Sequence, residues 1–446
     1  MMALQQATEI VHGEMHGNDV SFSSISTDSR QLKPGDLYIA LPGERFDGHD
    51  FIQQAQDAGA VAAVVQTNVM TSLPYIKVDN TRHALGCLAA ARRQAFKGPL
   101  VGITGSNGKT TVKEMLAAIL RKQGEVLVTR GNFNNDIGMP LTLLGLEHQD
   151  YAVIEMGANH HGEIAYLTNI AKPDIALVNN AGPAHLEGFG SIKGVAEAKA
   201  EIYQGLSENG VAIINRDDDY SDYWHGLCEK HRIVDFSLRD RAATVYGEWK
   251  PAEQGGVLKV WHNDSMFRVV LKVHGRHNAM NAMAAIAVAV TLQVPVEKIS
   301  EALQQFESVE GRLKMHQVSP TLVVIDDTYN ANPASLSAGI DVLKQLPGEH
   351  WLVLGDMGEL GRDATRLHFD AGIKARRAGI SRLLAVGEAS QHAVDAFGDG
   401  AQIFENKDEL MTFLKLHQTT ALGVLVKGSR FMHMEEIVKQ LTEELV

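Results

Sequence analysis

The chain has almost no cysteine. Only Cys87 and Cys228 occur in 446 residues, which leaves no disulfide framework and excludes a zinc site built on cysteines. Two free thiols fit a reducing compartment, and the expected location is cytoplasmic. Basic residues are also short, with 41 Lys and Arg against 54 Asp and Glu and a net charge of -13. Such a balance offers no basic footprint, so no nucleic-acid partner is expected. An anionic substrate must then be met by local Arg, Lys or Mg²⁺. Long apolar runs are missing as well. The most apolar one, "AMAAIAVAVTLQV", is too short and alanine-rich to span a bilayer, which takes about 20 apolar residues, and it reads as a buried helix. The opening "MMALQQATEIVHGEMHG" has no basic segment and no long apolar core, so neither a signal peptide nor membrane insertion is expected. No internal repeat and no low-complexity segment is found.

What is present is an ordinary globular composition, 45% hydrophobic and 21% charged. The length calls for two to four domains, and three blocks separate. Residues 1–97 hold short β-rich runs ("SSISTDSR", "LYIAL", "VAAVV", "YIKV") and the helical "TRHALGCLAAARRQAF", closed by the Gly-Pro break "KGPL". Residues 98–310 alternate apolar strands ("LVGIT", "YAVIEMG", "DIALVNN", "VAIINRD") with helices, plus a β-like insert around "ATVYGEWK" and "LKVWHNDSMFRVVLKV". Helices are expected at 279–291 and 297–306. Residues 311–446 form a second series of strands and helices, with strands "TLVVIDDTYN", "HWLVLGDMGEL", "RLLAVGEAS" and "GVLVKGSR". The fold class is therefore α/β. The central and last blocks should each carry a mostly parallel sheet with helices on both faces and ligands at the strand ends.

The stretch "VGITGSNGKTTVKE" is a strand, a glycine turn and a helix start. After it, Val112, Met115, Leu116, Ile119 and Leu120 recur at helical spacing, and Gly124 stands where a C-terminal cap belongs. Gly105 and Gly108 allow the backbone to approach anionic oxygens, Lys109 can neutralise them, and Thr110 can offer a hydroxyl to Mg²⁺. The Walker spacing is displaced, since Ile103 stands where its first glycine belongs and Gly102 and Gly105 flank it.

Glu155 ends the next apolar strand, where it is either a solvated strand end or a Mg²⁺ ligand. His160 and His161 read as exposed, having no metal-site partners. His185 follows the strand "DIALVNN" in a Gly/Pro-rich loop, a position that is more often structural. Lys199 lies in the helical run 194–205 and reads, by composition, as a helix-surface lysine. His277, Asn278 and Asn281 open a helix; Asn278 suits its N-cap, and Asn281 shares that face and suits an adenine edge. Arg312 could bridge phosphate charge. Asp326 and Asp327, adjacent on a strand, point to opposite faces, so only one can meet a given ligand.

In this order the motifs resemble those of the Mur ligase superfamily, the ATP-dependent amide-forming enzymes of peptidoglycan precursor synthesis, with folylpolyglutamate synthase as a relative. The similarity runs through "GITGSNGKTT", "VIEMGANHHGEI", "AHLEGFGS", "EAKAEIY", "GRHNAMNAMAA", "EGR" and "DDTYNANP", essentially the whole chain. "STDSRQLKPGDLYIALPGERFDGHDF" looks like that family's UDP-binding first domain, and "GDMGELG" and "LVKGSR" look like its dipeptide-adding branch. The Asp-Asn-Pro-Arg motif of the branch that adds the third residue is absent. The resemblance implies a small α/β UDP-binding domain, a central P-loop ATPase domain and a Rossmann-like C-terminal domain. It implies an enzyme that uses ATP to join D-alanyl-D-alanine to UDP-N-acetylmuramoyl-tripeptide through an acyl phosphate, acting as a monomer.

Residue roles follow from the same resemblance. Gly105, Ser106, Asn107, Gly108, Lys109, Thr110 and Thr111 would hold ATP with Asn281 at the adenine, Arg312 at the phosphates and Asp327 at the ribose. Thr110 and Glu155 would hold one Mg²⁺. His185 and Lys199, the latter as a carbamate, would serve a second, and Lys109, Glu155, His185, Lys199 and Arg312 form the implied catalytic set. Ser29 and Arg30 would lie at the uridine end. Asn134, Asn135 and Asp136 would line the substrate cleft, with Asn330, Lys427, Ser429 and Arg430 on the dipeptide side. One alternative is a folylpolyglutamate synthase-type ligase, which has no need of the first block in this form. The other is a P-loop GTPase, whose guanine reader Asn-Lys-x-Asp is approached only by Asn406-Lys407-Asp408-Glu409, far from the loop.

Overall fold

The computed structural model describes residues 1–446 except 44, 253–254, 418–420 and 444–446; Glu44, within the first-block motif, and the last three residues of the third block lie outside the described residues. Three larger sheets organise the described chain, with a two-stranded pairing of Met2–Ala3 and Ser21–Phe22 beside the first. The first of them has five strands, in the order Glu14–His16, Tyr75–Lys77, Ala62–Val65, Leu37–Ile39, Ile25–Ser26. It is parallel apart from its first edge strand. The helix Thr81–Ala95, capped by the Asn80 side chain, leads from it to the Gly-Pro connection.

The central sheet has nine strands. Its parallel part runs Val126–Val128, Tyr151–Glu155, Leu100–Thr104, Ile175–Val178, Val211–Asn215, Arg232–Ser237, Val245–Pro251. The β-like insert continues it as an antiparallel meander through Gly256–His262 and Ser265–Leu271. Strands such as Leu100–Thr104 are buried along their whole length because helices cover both faces. The helices Lys109–Leu120, Arg276–Thr291 and Val296–Gln305 pack on one face, and Glu163–Ala171 and Ile192–Ala200 on the other. The alanine-rich run is thus a core helix, and among the described residues no helix is long and apolar enough to cross a membrane.

Two local expectations are corrected. Arg121, not Gly124, caps the helix after the glycine loop, which ends at Leu120. Gly124 is needed for space, because an added Cβ would collide with the Asp150 carboxylate that accepts from the Glu125 N–H at 2.8 Å. The helix expected from 279 begins at Arg276, so Asn278 is inside it rather than its cap, and Gly275 (φ 90°) occupies that position.

The last sheet has six strands, in the order Lys314–Ser319, Leu322–Asp327, Leu422–Lys427, Glu349–Gly355, Arg382–Val386, Ala401–Phe404. Only the first pairing is antiparallel. In both large sheets the strand order reverses beside one strand, Leu100–Thr104 in the centre and Leu422–Lys427 in the last. Such reversals open a crevice beyond the carboxyl ends of the strands.

Candidate active site

The two crevices face each other. Between them lies a cavity of about 300 Å³, lined by the glycine loop, Glu155 and His185 from the central sheet and by Asp327, Asn330, Glu359 and Lys427 from the last. A second cavity of about 370 Å³ adjoins it and shares Asn107, Arg312 and Asp327.

The loop is built by neighbouring backbone and asparagines. Gly108 sits at φ 78°, and a Cβ there would be 2.7 Å from Asn179 Nδ2 and well inside contact with Asn281 Oδ1. Asn179 and Asn180 both donate to the Asn107 carbonyl, at 2.9 and 3.0 Å, and Asn180 Oδ1 accepts from the Asn107 N–H at 2.9 Å. The Ser106 hydroxyl donates to the Gly182 carbonyl at 3.1 Å. Neither Asn179 nor Asn180 is singled out by sequence; the one signal was a pair of amides ending a buried strand. Ile103 is fully buried in its strand, which explains the displaced glycine spacing.

Lys109 donates to the Gly105 carbonyl at 2.7 Å. Burial lowers its pKa, Glu155 and Glu359 oppose that, and Arg312 adds to it. Glu155 is buried, 2% exposed, and its oxygens accept from Thr110 Oγ1 at 3.1 Å and Asn134 Nδ2 at 2.8 Å. It is therefore not a solvated strand end. Behind it lies Lys113, 1% exposed, which donates to the Thr129 carbonyl at 2.7 Å and lies 3.9 Å from Glu155. A lysine on the inner face of an amphipathic helix carries no sequence signal of that placement.

Lys199 reverses its composition-based reading. It is 0% exposed, its Nζ donates to the Ala158 carbonyl at 3.3 Å, and it lies 5.1 Å from the centre of the Phe189 ring. Burial, reinforced by the charge of Lys109, pushes its pKa down to about 7 against the pull of Glu163 and Glu201. The surface reading failed because periodicity does not show that the loop carrying Ala158 covers this helix. His185 occupies a left-handed turn (φ 53°) and its Nδ1 meets Glu359 Oε2 at 2.7 Å. The His185 contact holds Glu359 below the usual carboxylate range. His160 and His161 are exposed, as expected.

Arg312 stacks on Tyr329, with its guanidinium carbon 3.9 Å from the ring centre, and reaches Thr110 Oγ1 at 3.4 Å. Of the two adjacent aspartates, Asp326 accepts from the Gly311 N–H at 3.0 Å, whereas Asp327 faces the cavities and accepts from Lys427. Burial raises Asp327 and lowers Lys427, and their contact opposes both shifts. Asn281 accepts from Asn179 at 3.0 Å and donates to Asn278 at 3.2 Å at the edge of the second cavity. His277 lines that cavity too; burial, helped by Lys427, pushes its pKa down to about 4 and keeps it neutral. His277 Nε2 and Arg312 Nε are buried without partners, so both suit a ligand seated there.

Two expected residues turn away from the main cavity, and two others lie in a pocket of their own. Asn134 and Asn135 line the main cavity, but Asp136 turns to Arg82 of the first block at 3.2 Å. Asn330, Lys427 and Arg430 line it, but Ser429 is buried and accepts from the Gly358 N–H at 2.7 Å. Ser29 and Arg30 belong to a separate pocket in the first block, beside Tyr38, Phe46 and Gln54. There Ser29 donates to Gln54 at 3.2 Å and Arg30 grips Asp28 through two 2.9 Å bonds.

Comparison with known proteins gives three matches to Mur ligase families. The Mur ligase family catalytic domain matches residues 21–93, the Mur ligase middle domain 103–289, and the Mur ligase glutamate ligase domain 311–430. The chain is 43% identical over 449 residues to UDP-N-acetylmuramoyl-tripeptide--D-alanyl-D-alanine ligase of Escherichia coli, spanning 99% of this chain and 98% of the relative. A crystal structure of MurF from Acinetobacter baumannii superposes with a TM-score of 0.92 at 37% identity, covering 98% of each chain. MurF ligase from Thermotoga maritima, in complex with ADP, gives 0.87 at 29% identity over 95% of this chain and 97% of that one.

Proposed function

The chain belongs to the Mur ligase family, and from that premise we propose that it joins D-alanyl-D-alanine to UDP-N-acetylmuramoyl-tripeptide at the expense of ATP, in peptidoglycan precursor synthesis. The observation that carries this reading is the full-length likeness to dipeptide-adding ligases, including the first block over 21–93 that a folylpolyglutamate synthase does not need in this form. In this reading residues 1–97 take the UDP-sugar peptide, 98–310 take ATP, and 311–446 take the dipeptide and close over the nucleotide. Two free thiols and nucleotide-linked substrates suit a cytoplasmic enzyme.

A carboxylate is a poor electrophile. ATP converts the terminal carboxylate of the tripeptide into an acyl phosphate, and the dipeptide amine displaces phosphate to leave the amide. The loop N–H groups and Lys109 hold the phosphates, where positioning and charge supply most of the rate. Arg312, fixed against Tyr329, offers its guanidinium to the same charge. Asn281 and neutral His277 suit the adenine, and Asp327 the ribose. The Thr110 hydroxyl and Glu155 carboxylate, 3.1 Å apart, form a hard-oxygen donor set that fits Mg²⁺. His185 and Lys199 would hold a second ion, since an amine with a pKa of about 7 is free to take up CO₂ and become an anionic oxygen ligand. Bound there, Mg²⁺ supplies neutralisation of the phosphoryl charge. Closure of the last block over the central one would exclude water from the acyl phosphate.

Phosphate release measured with the UDP-linked tripeptide should require D-alanyl-D-alanine for sustained turnover and yield the amide in equal amount. Phosphate release that ignores the dipeptide, with no amide formed, would sink the reading.

A further inference from the structure

Among the described residues, four carboxylates line the main cavity: Glu155, Glu163, Asp327 and Glu359. Three are tied to the protein. Glu155 accepts from Thr110 and Asn134, Glu163 from the Asn159 N–H at 2.8 Å, and Asp327 from Lys427. Glu359 has neither a backbone N–H nor a lysine on its carboxylate. Its contact is the His185 ring at 2.7 Å, and its side chain is 52% exposed. That contact uses one carboxylate oxygen, Oε2, and leaves Oε1 to a substrate.

The presentation of Glu359 is built rather than loose. Met357 and Leu360 are each 3% exposed and anchor the loop in the core of the last block. Between them the Gly358 N–H is held by Ser429, and Glu359 itself adopts φ 61°. A non-glycine residue in that region is strained, and such strain gathers at functional sites. The result is a carboxylate projected from the last block toward Lys109 across the cleft, close enough to raise that lysine's pKa.

The chemistry needs a negative charge on this side. An α-amino group has a pKa of about 7.7–8.0, so the incoming dipeptide arrives mostly as an ammonium at neutral pH. The cleft it enters holds the cations Lys109, Arg312 and Lys427. An ammonium needs a carboxylate oxygen free of other partners to dock among them. We propose that Glu359 binds the α-ammonium of D-alanyl-D-alanine beside the acyl phosphate, where its nitrogen attacks once it has released a proton. This rests on the ligase reading above.

The test compares Glu359→Gln and Glu359→Asp with the unaltered protein in two assays. One follows amide formation with D-alanyl-D-alanine. The other follows hydroxamate formation with hydroxylamine, a nucleophile that is neutral at pH 7 and needs no ammonium site. Loss of a charge-assisted hydrogen bond predicts a rise in the KM for the dipeptide of about 10- to 100-fold in Glu359→Gln. Hydroxamate formation should fall far less than amide formation does, and Glu359→Asp should recover part of the dipeptide affinity. An unchanged dipeptide KM overturns the inference. So does an equal fall in both assays, which would put Glu359 in acyl phosphate formation instead. If the unaltered protein makes hydroxamate but no amide with the dipeptide, the ligase reading itself has failed.

Discussion

At the residue scale the decisive group is Lys199. Its amine is enclosed by its own helix, Phe189 and the Ala158 carbonyl, so the ammonium form loses its hydration. Burial is the main cause of a pKa near 7, with Lys109 second. The sign is fixed by the chemistry: CO₂ adds only to the neutral amine, which dominates above the pKa and vanishes below it. Labelling by ¹³C-bicarbonate, read by NMR or mass spectrometry, should therefore rise through pH 7 and be nearly absent at pH 6, with activity following it. Lys199→Met should remove the label. A label that appears only near pH 10, the range of an ordinary lysine at about 10.4, would show that the amine is not perturbed.

At the scale of elements the glycine loop is a conformation held by neighbours. Gly108 combines φ 78° with an approach to Asn281 and Asn179 that leaves no room for a Cβ. The asparagines that crowd it also bind the loop backbone and border the second cavity. Gly108→Ala should then impose a left-handed penalty of about 1–2 kcal/mol together with a displaced Asn281. The expected outcome is a rise in the ATP dissociation constant of at least about tenfold by nucleotide titration, each factor of ten being about 1.4 kcal/mol. Uridine-nucleotide binding, proposed for the pocket around Ser29, should be unaffected.

At the scale of the whole molecule the site exists only where two sheets meet. Among the contacts that join them, Asn332 Nδ2 donates to Asn107 Oδ1 at 2.7 Å, Arg312 reaches Thr110, and Glu359 meets His185. Asn332 does double duty, since it also caps the helix Pro333–Leu343 in a reciprocal capping box with Ser335. Asn332→Ala should cost about 1 kcal/mol for the cap, a fall of about 2–4 °C in the thermal midpoint of the last block. The lost contact with the glycine loop should also raise the KM for ATP several-fold. Asn332→Asp keeps the cap but offers no N–H to Asn107, so it should raise that KM with little thermal change. An ATP KM that stays put in both variants would show that this contact does not help the sheets close.

The amino-acid sequence by itself determined the α/β class, the glycine loop between strand and helix, the buried alanine-rich helix and the family. These depend on period, short-range spacing and motif order, which are local properties of a chain. It also separated Asp327 from Asp326, because alternation along a strand is local too. Tertiary structure alone decided that Lys199 and Lys113 are buried, that Asp136 leaves the cleft for Arg82, and that Asn179 and Asn180 shape the loop. It also brought Glu359, from the last block, to His185. The physical reason is the same in each case. Desolvation and charge contact depend on what covers a side chain, and here the cover comes from elements tens to hundreds of residues away in sequence. No periodicity records such a neighbour.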